Sequence, residues 1–69
     1  MTYRELTRKL CRLECEFDRM AKGSHEIWIN TATHARTTIP NWGSRDLRVG
    51  TIAGILRDLG ISKQEFEQR

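Results

Sequence analysis

Leucines near the start of the chain recur three or four residues apart, at positions 6, 10 and 13. Residues at that spacing lie on one face of a helix, so the pattern predicts an amphipathic helix over residues 3–14. Thr2 followed by Glu5 is typical of a capping box, in which each side chain accepts a hydrogen bond from a free N–H at the helix start. This pair therefore places the beginning of the helix.

The middle of the chain alternates between apolar and polar residues, which is typical of strands. The alternation predicts strands over residues 15–20 and 25–30, and a β-branched run predicts a third strand over residues 35–39. Pro40 ends the third strand, because proline cannot donate a hydrogen bond to the ladder. The segments between the strands are short, so neighbouring strands are expected to be antiparallel.

The two faces of the second strand differ in polarity. Ile27 and Ile29 share one face, which we predict to be the core face, and strand parity puts His25 on it too. At the first position of the strand, the His25 ring can still reach solvent past the edge of the core. The other face holds Glu26, Trp28 and Asn30. Trp28 on that more polar face either stacks a base, contacts a partner or packs partly in the core.

A second helix follows the strands, after a polar loop over residues 41–49. Thr51 is the expected N-cap, and Gly60 closes the helix. An apolar stripe marks its buried face: Ile52, Ile55, Leu56 and Leu59. Ser62 and Glu65 predict a short terminal helical turn. The order α-β-β-β-α indicates a single α+β domain over residues 1–69, with a three-stranded antiparallel sheet and both helices packed on one face.

Length and composition limit the classes of protein that the chain fits. Its 69 residues are 38% hydrophobic, which is enough for one small core that a partner could help to stabilise. Neither an apolar run long enough to span a membrane nor an apolar leader is present, so we expect a cytoplasmic protein. Cys11 and Cys15 are too few for a disulfide scaffold and do not form a zinc-finger pattern with the two histidines.

Positive charge is concentrated in the middle of the chain. The formal net charge is +3, and the excess of Lys and Arg lies between Arg19 and Arg57. Basic residues bind phosphates and release their counterions, so this distribution favours a polyanionic partner such as nucleic acid. An ordinary solvated surface is the alternative.

The tripeptide Gly23-Ser24-His25 is the strongest candidate for chemistry. A flexible turn delivers an imidazole to the start of a strand, with Arg19 and Lys22 beside it. Histidine can both accept and donate a proton near neutral pH, and cations attract phosphate. The combination indicates RNA cleavage, although a histidine at a strand start is more often only a polar surface residue. His34 is expected to be a loop residue.

Several segments, in this order, resemble the HicA family of small toxins from toxin–antitoxin pairs. The similarity covers nearly the whole chain. It is carried by Lys22-Gly23-Ser24-His25, Ile39-Pro40, Asp46-Leu47-Arg48-Val49-Gly50-Thr51-Ile52, Ile55-Leu56, Leu59-Gly60-Ile61-Ser62 and Glu65-Phe66. The resemblance implies a fold like that of a double-stranded-RNA-binding domain, which agrees with the element order obtained from the periodicity.

The resemblance also implies an endoribonuclease that cleaves single-stranded mRNA and is neutralised by a HicB-type antitoxin in a hetero-oligomer. The family's catalytic histidine falls on His25. Many members carry a further histidine two residues past the proline, where this chain has Trp42. The role of that histidine is therefore either absent here or replaced by base stacking on Trp42.

The cleavage chemistry needs a proton transfer and stabilisation of negative charge on the phosphate, without a metal or other cofactor. We assign the proton transfer to His25. The expected RNA contacts are Lys22, Arg19, Arg36, Arg45, Arg48 and Trp42. Lys22 is the first candidate for charge stabilisation. Two alternatives remain: a non-catalytic RNA-binding module, and a HicA-like protein that binds the antitoxin but has lost cleavage.

Overall fold

The computed structural model describes residues 1–68. The chain forms helix α1, three strands and two further helices: α1 Tyr3–Arg12, β1 Cys15–Met20, β2 His25–Asn30, β3 Arg36–Pro40, α2 Val49–Leu59 and α3 Lys63–Glu67. The strands form one antiparallel sheet in the order β1-β2-β3. The α+β architecture predicted from the sequence is thereby confirmed, including the short terminal helix.

The ends of the helices follow from their capping residues. Thr2 and Glu5 form the predicted capping box of α1, and Ser62 and Glu65 form that of α3. Helix α1 ends two residues earlier than predicted, because the chain reverses through Glu14, whose φ is 65°. The N-cap prediction for α2 is wrong. Arg48 occupies that position without a side-chain hydrogen bond, and Gly60 closes the helix in the left-handed conformation.

The core lies between the helices and one face of the sheet. Helix α1 packs against β1, and α2 packs against β3. The buried apolar residues come from helices, strands and loops, and they are Leu6, Leu10, Cys15, Trp28, Ile39, Leu47, Ile55, Leu56, Leu59, Ile61 and Phe66. The other face of the sheet is not covered by a helix of the described residues, and we call it the open face.

The prediction for the faces of β2 is wrong. Trp28 is only 5% exposed and faces the helices, whereas Ile27 and Ile29 are half-buried on the open face. Glu26 and Asn30 lie on the same face as Trp28 and are buried with it, because hydrogen bonds satisfy both polar side chains. The indole buries a large apolar surface on this face. The structure therefore favours core packing among the interpretations of Trp28.

Candidate functional site

His25 lies on the open face, at the first position of β2, and its side chain is exposed. The turn before it bonds to both backbone groups of His25, the N–H and the carbonyl. The His25 N–H donates to the Lys22 carbonyl at 3.2 Å, and the His25 carbonyl accepts from Ala21 N–H at 2.8 Å. Gly23 has a φ of 64°, which glycine adopts without the steric cost that a side chain would add. The turn thus presents the ring to solvent from a fixed backbone.

Two of the predicted cations share the open face with His25. Arg19 lies opposite Ile27 and Arg36 lies opposite Ile29, and directly opposed residues of antiparallel strands share a face. Asp18 pairs with both arginines, at 3.4 Å from Arg19 Nη1 and 3.2 Å from Arg36 Nε. This ion-pair cluster crosses the sheet beside the half-buried isoleucines, and its carboxylate reduces the positive potential that the arginines offer to a phosphate.

The cations lie at unequal distances from His25. A strand advances about 3.3 Å per residue, so Arg36 lies about 13 Å from His25 along the sheet, and Arg19 about half as far. Lys22 is exposed in the turn that contacts the His25 backbone, and within residues 1–68 it makes no ion pair. Of the predicted cations, Lys22 is therefore the one that lies in the turn holding His25 and has no carboxylate partner among the described residues.

The loop between β3 and α2, residues 41–48, reaches the same end of the sheet. His25 pairs with Pro40 across the strands, and Asn41 N–H donates to the Ser24 carbonyl at 3.1 Å. Trp42 is 36% exposed, and the Arg45 guanidinium carbon lies 5.8 Å from the centre of its ring. The structure thus brings an exposed aromatic ring and its paired cation to the edge where His25 lies.

Arg48 is exposed at the N-cap of α2, where a cation is unfavourable. The N-terminus of a helix carries a partial positive charge, and an arginine side chain cannot accept a hydrogen bond from the free N–H groups there. A residue that is poor for local stability at an exposed position is consistent with a role in binding an anion.

We expect Arg48→Asp to stabilise the fold by about 0.5–1 kcal/mol, because aspartate caps the helix and complements its dipole. The same change should weaken binding to RNA. Urea unfolding measures the first effect, and a titration with labelled RNA measures the second. Arg48→Ala serves as the control, since it removes the charge without adding a cap. An unchanged or lower free energy of unfolding for Arg48→Asp would contradict the capping argument.

Glu26, beside His25 in the sequence, is a buried carboxylate that sequence reasoning missed. It is 7% exposed, and its oxygens accept hydrogen bonds from Tyr3, Trp28 and Asn41. Burial acts to raise the pKa of Glu26, but the three hydrogen bonds together outweigh it and hold the pKa below its ordinary value. Burial and the bond to Glu26 raise the pKa of Tyr3, which therefore stays a neutral donor.

Because the pKa of Glu26 is lower in the folded state than in the unfolded state, its contribution to stability is fully present above the unfolded pKa of about 4.3. The contribution is lost as the pH falls through the folded pKa. We therefore expect Glu26→Gln to have a lower free energy of unfolding than the parent at pH 7, and the difference to become smaller as the pH falls below that unfolded value. Urea unfolding across this range tests it, with the exposed Glu16→Gln as control. A difference in the free energy of unfolding that stays the same from pH 7 down to low pH would contradict the ionised state of Glu26.

Other features of the described residues add no second centre of chemistry. Cys11 is exposed, Cys15 is buried, and both thiols are free; burial raises the pKa of the Cys15 thiol to about 11. Within residues 1–68, no three His, Cys, Asp or Glu side chains group closely enough to hold a metal ion. In the same range, no helix is both long and apolar enough to cross a membrane.

Comparison with known proteins adds one finding to this geometry. The family model described as the HicA toxin of bacterial toxin–antitoxin systems matches residues 3–61. No curated protein and no solved structure matches the chain significantly. The matched segment runs from the first residue of α1 to the residue before the Ser62 cap, and so includes the whole sheet, the His25 turn and α2. The chain therefore belongs to the HicA toxin family.

Proposed function

We propose that the protein is an endoribonuclease that cleaves single-stranded mRNA without a metal ion, with His25 as its catalytic residue. The observation that carries the proposal is the position of His25, exposed at the edge of the open face. Lys22 lies in the adjoining turn and the Trp42–Arg45 pair lies in the neighbouring loop. Membership in a toxin family supports it further, because cleavage of messages stops growth.

The reaction uses a nucleophile that RNA itself carries. The ribose 2′-oxygen attacks the adjacent phosphorus, a 2′-O–P bond forms, and the P–O5′ bond breaks to leave a 2′,3′-cyclic phosphate. His25 takes the proton of the 2′-hydroxyl, and the departing 5′-oxygen receives a proton from solvent or from the imidazolium. Lys22 stabilises the negative charge that grows on the phosphate oxygens.

A single histidine serves this site. His34 lies in the turn after β2, where its N–H donates to the Asn30 carbonyl, so the length of the strand separates the two rings. With one group available for both proton transfers, turnover is expected to be slow. Slow cleavage is sufficient for a toxin that has only to outpace the synthesis of messages.

The remaining predicted contacts position the RNA chain. Trp42 offers a ring face to a base, and Arg45, Arg48, Arg19 and Arg36 offer guanidinium groups to phosphates. In this proposal the bound RNA runs from the β3–α2 loop past His25 and over the open face. An RNA phosphate would compete with the Asp18 carboxylate for Arg19 and Arg36 and so replace their ion pairs.

A toxin of this family has an antitoxin as its partner. We propose a HicB-type protein that forms a hetero-oligomer with the chain and covers His25. Formation of the complex should then remove the His25 ring from solvent. An NMR titration of that ring with and without the antitoxin measures this, and an unaltered ring in the complex would place the antitoxin elsewhere.

A second candidate function is binding without cleavage. It is favoured by the single histidine at the site and by Trp42, which lies two residues past Pro40, where the resemblance to the family leads us to expect a second histidine. In this alternative the chain holds RNA or the antitoxin through the same surface, and His25 contributes a hydrogen bond only.

Purified protein and a short single-stranded RNA in excess EDTA separate these functions. We expect slow cleavage with 2′,3′-cyclic phosphate ends, and no cleavage of a matched RNA in which every ribose is replaced by 2′-deoxyribose. Binding of both RNAs without product would favour the second function. Cleavage that depends on added Mg²⁺, or cleavage of the deoxy strand, would overturn the proposed mechanism.

A further inference from the structure

The buried carboxylate of Glu26 connects three elements of the fold at the His25 end of the sheet. Its Oε1 accepts from the Tyr3 hydroxyl of α1 and from Trp28 Nε1 of β2, and its Oε2 accepts from Asn41 Nδ2 of the β3–α2 loop at 3.2 Å. The two carboxylate oxygens of Glu26 therefore bind different elements of the fold. Oε1 ties the strand to the helix, and Oε2 is bound by the loop.

The Asn41 side chain carries this connection into the loop backbone. Its amide nitrogen donates to Glu26, while its Oδ1 accepts from the Gly43 N–H at 3.1 Å. Gly43 has a φ of 65°, so the chain turns sharply directly after Trp42. Glu26 thus fixes which way the Asn41 amide points, and the amide in turn fixes the turn that follows Trp42.

We propose that Glu26 is a positioning residue that acts through Asn41 to hold the β3–α2 loop as a preformed stacking platform for a nucleobase of single-stranded RNA. The inference rests on the proposed function and names a determinant of RNA binding within it. The platform is the Trp42 ring with Arg45 beside it. Glu26 does not touch RNA, because the carboxylate is buried on the helix-facing side of the sheet.

The polarity of the hydrogen bond between these two side chains allows a specific test. In Glu26→Gln, the amide oxygen can keep the bonds to Tyr3 and Trp28, but its NH₂ group then faces the NH₂ group of Asn41. In Asn41→Asp, two carboxylates face each other. In the double variant, the new amide at position 26 donates to one oxygen of the new carboxylate at position 41, while the other oxygen still accepts from Gly43 N–H. The link is restored with its direction reversed.

The variants are made in a His25→Ala background, so that RNA is bound and not consumed. A fluorescein-labelled single-stranded RNA of mixed sequence is titrated and followed by anisotropy. We expect Kd to rise about tenfold in each single variant, which is within the loss that unstacking one base from an aromatic ring produces. The double variant should return to within about threefold of the parent.

Backbone ¹⁵N relaxation at Gly43 and Arg45 gives a second readout that does not depend on RNA. We expect the single variants to loosen these amides on the nanosecond timescale and the double variant to restore them. Tyr3→Phe is the matched control, since it removes a donor to Oε1 and leaves the Asn41 link intact. Because Asn41 is exposed, Asn41→Asp keeps the test available even if Glu26→Gln folds poorly.

The inference would be overturned if the single variants changed neither the mobility of the β3–α2 loop nor the Kd for RNA. It would also be overturned if the double variant did not recover the Kd and the loop mobility of the parent. Equal loosening in Tyr3→Phe would also count against it, because the effect would then not pass through Asn41. If the parent protein binds no RNA, the proposed function fails, while the relaxation data still decide whether Glu26 orders the loop.

Discussion

His25→Ala is expected to lower the rate of RNA cleavage by about 10²- to 10⁴-fold, the usual contribution of a general acid or base. The loss should appear in kcat, because the imidazole acts on the proton of the reacting hydroxyl and contributes little to holding the RNA. Since the side chain is exposed, the free energy of unfolding should hardly change. Single-turnover cleavage with excess enzyme measures the chemical step directly.

The control for this experiment is His34→Asn. His34 has a φ of 66°, a conformation that asparagine tolerates better than alanine, and the substitution removes the second imidazole without straining the turn. Its cleavage rate should match that of the parent. Expression in a bacterium that lacks the antitoxin should arrest growth for the parent and His34→Asn only. Equal arrest by His25→Ala would show that His25 is not the catalyst.

Trp28→Ala is expected to destabilise the domain by about 3–5 kcal/mol, as large-to-small changes of buried aromatic residues do. The change empties the volume of an indole that is 5% exposed and removes a donor from the buried Glu26 carboxylate. A domain of this size has a total stability of only about 3–10 kcal/mol, so a large share of the population should be unfolded. Urea unfolding followed by far-UV circular dichroism measures the difference.

Ile29→Ala provides the matched comparison, because Ile29 follows Trp28 on the same strand but points to the open face. It is half-buried, so we expect a loss of about 1–2 kcal/mol, well below that of a fully buried residue. The order of the two losses tests which face of β2 belongs to the core. A larger loss for Ile29→Ala than for Trp28→Ala would reverse the assignment.

The same strand shows why sequence patterns predict strands better than they predict faces. Alternation over residues 25–30 places the strand correctly, since the period is the same whichever face is buried. The choice of face depends on what the helices offer to each side chain. Tyr3 and Asn41 supply donors to Glu26, and Leu59 supplies a carbonyl to Asn30. Those partners come from distant parts of the chain, so no local pattern identifies them.

The candidate site likewise has features that local sequence predicts and features that depend on tertiary contacts. The sequence predicted His25, Lys22 and Trp42 as candidates from a strand start, a turn and a loop, which are local features. It did not identify Asp18 as the partner of both Arg19 and Arg36, because that cluster joins two strands across a third. The one local hint of the loop's structure was Asn41 two residues before Gly43, a spacing typical of a side-chain-to-backbone turn.

For this protein, the sequence by itself determined the order of helices and strands, the capping residues of α1 and α3, the glycine that ends α2 and the segment that presents His25. Each of these depends on residues within one or two turns of chain, where spacing and local hydrogen bonds decide the conformation. Only the tertiary structure decided that Trp28 lies inside, that Ile27 and Ile29 lie on the open face, and that Glu26 reaches Asn41. Burial and polar pairing are settled by contacts between segments far apart in sequence, because a side chain can be buried only where another element covers it.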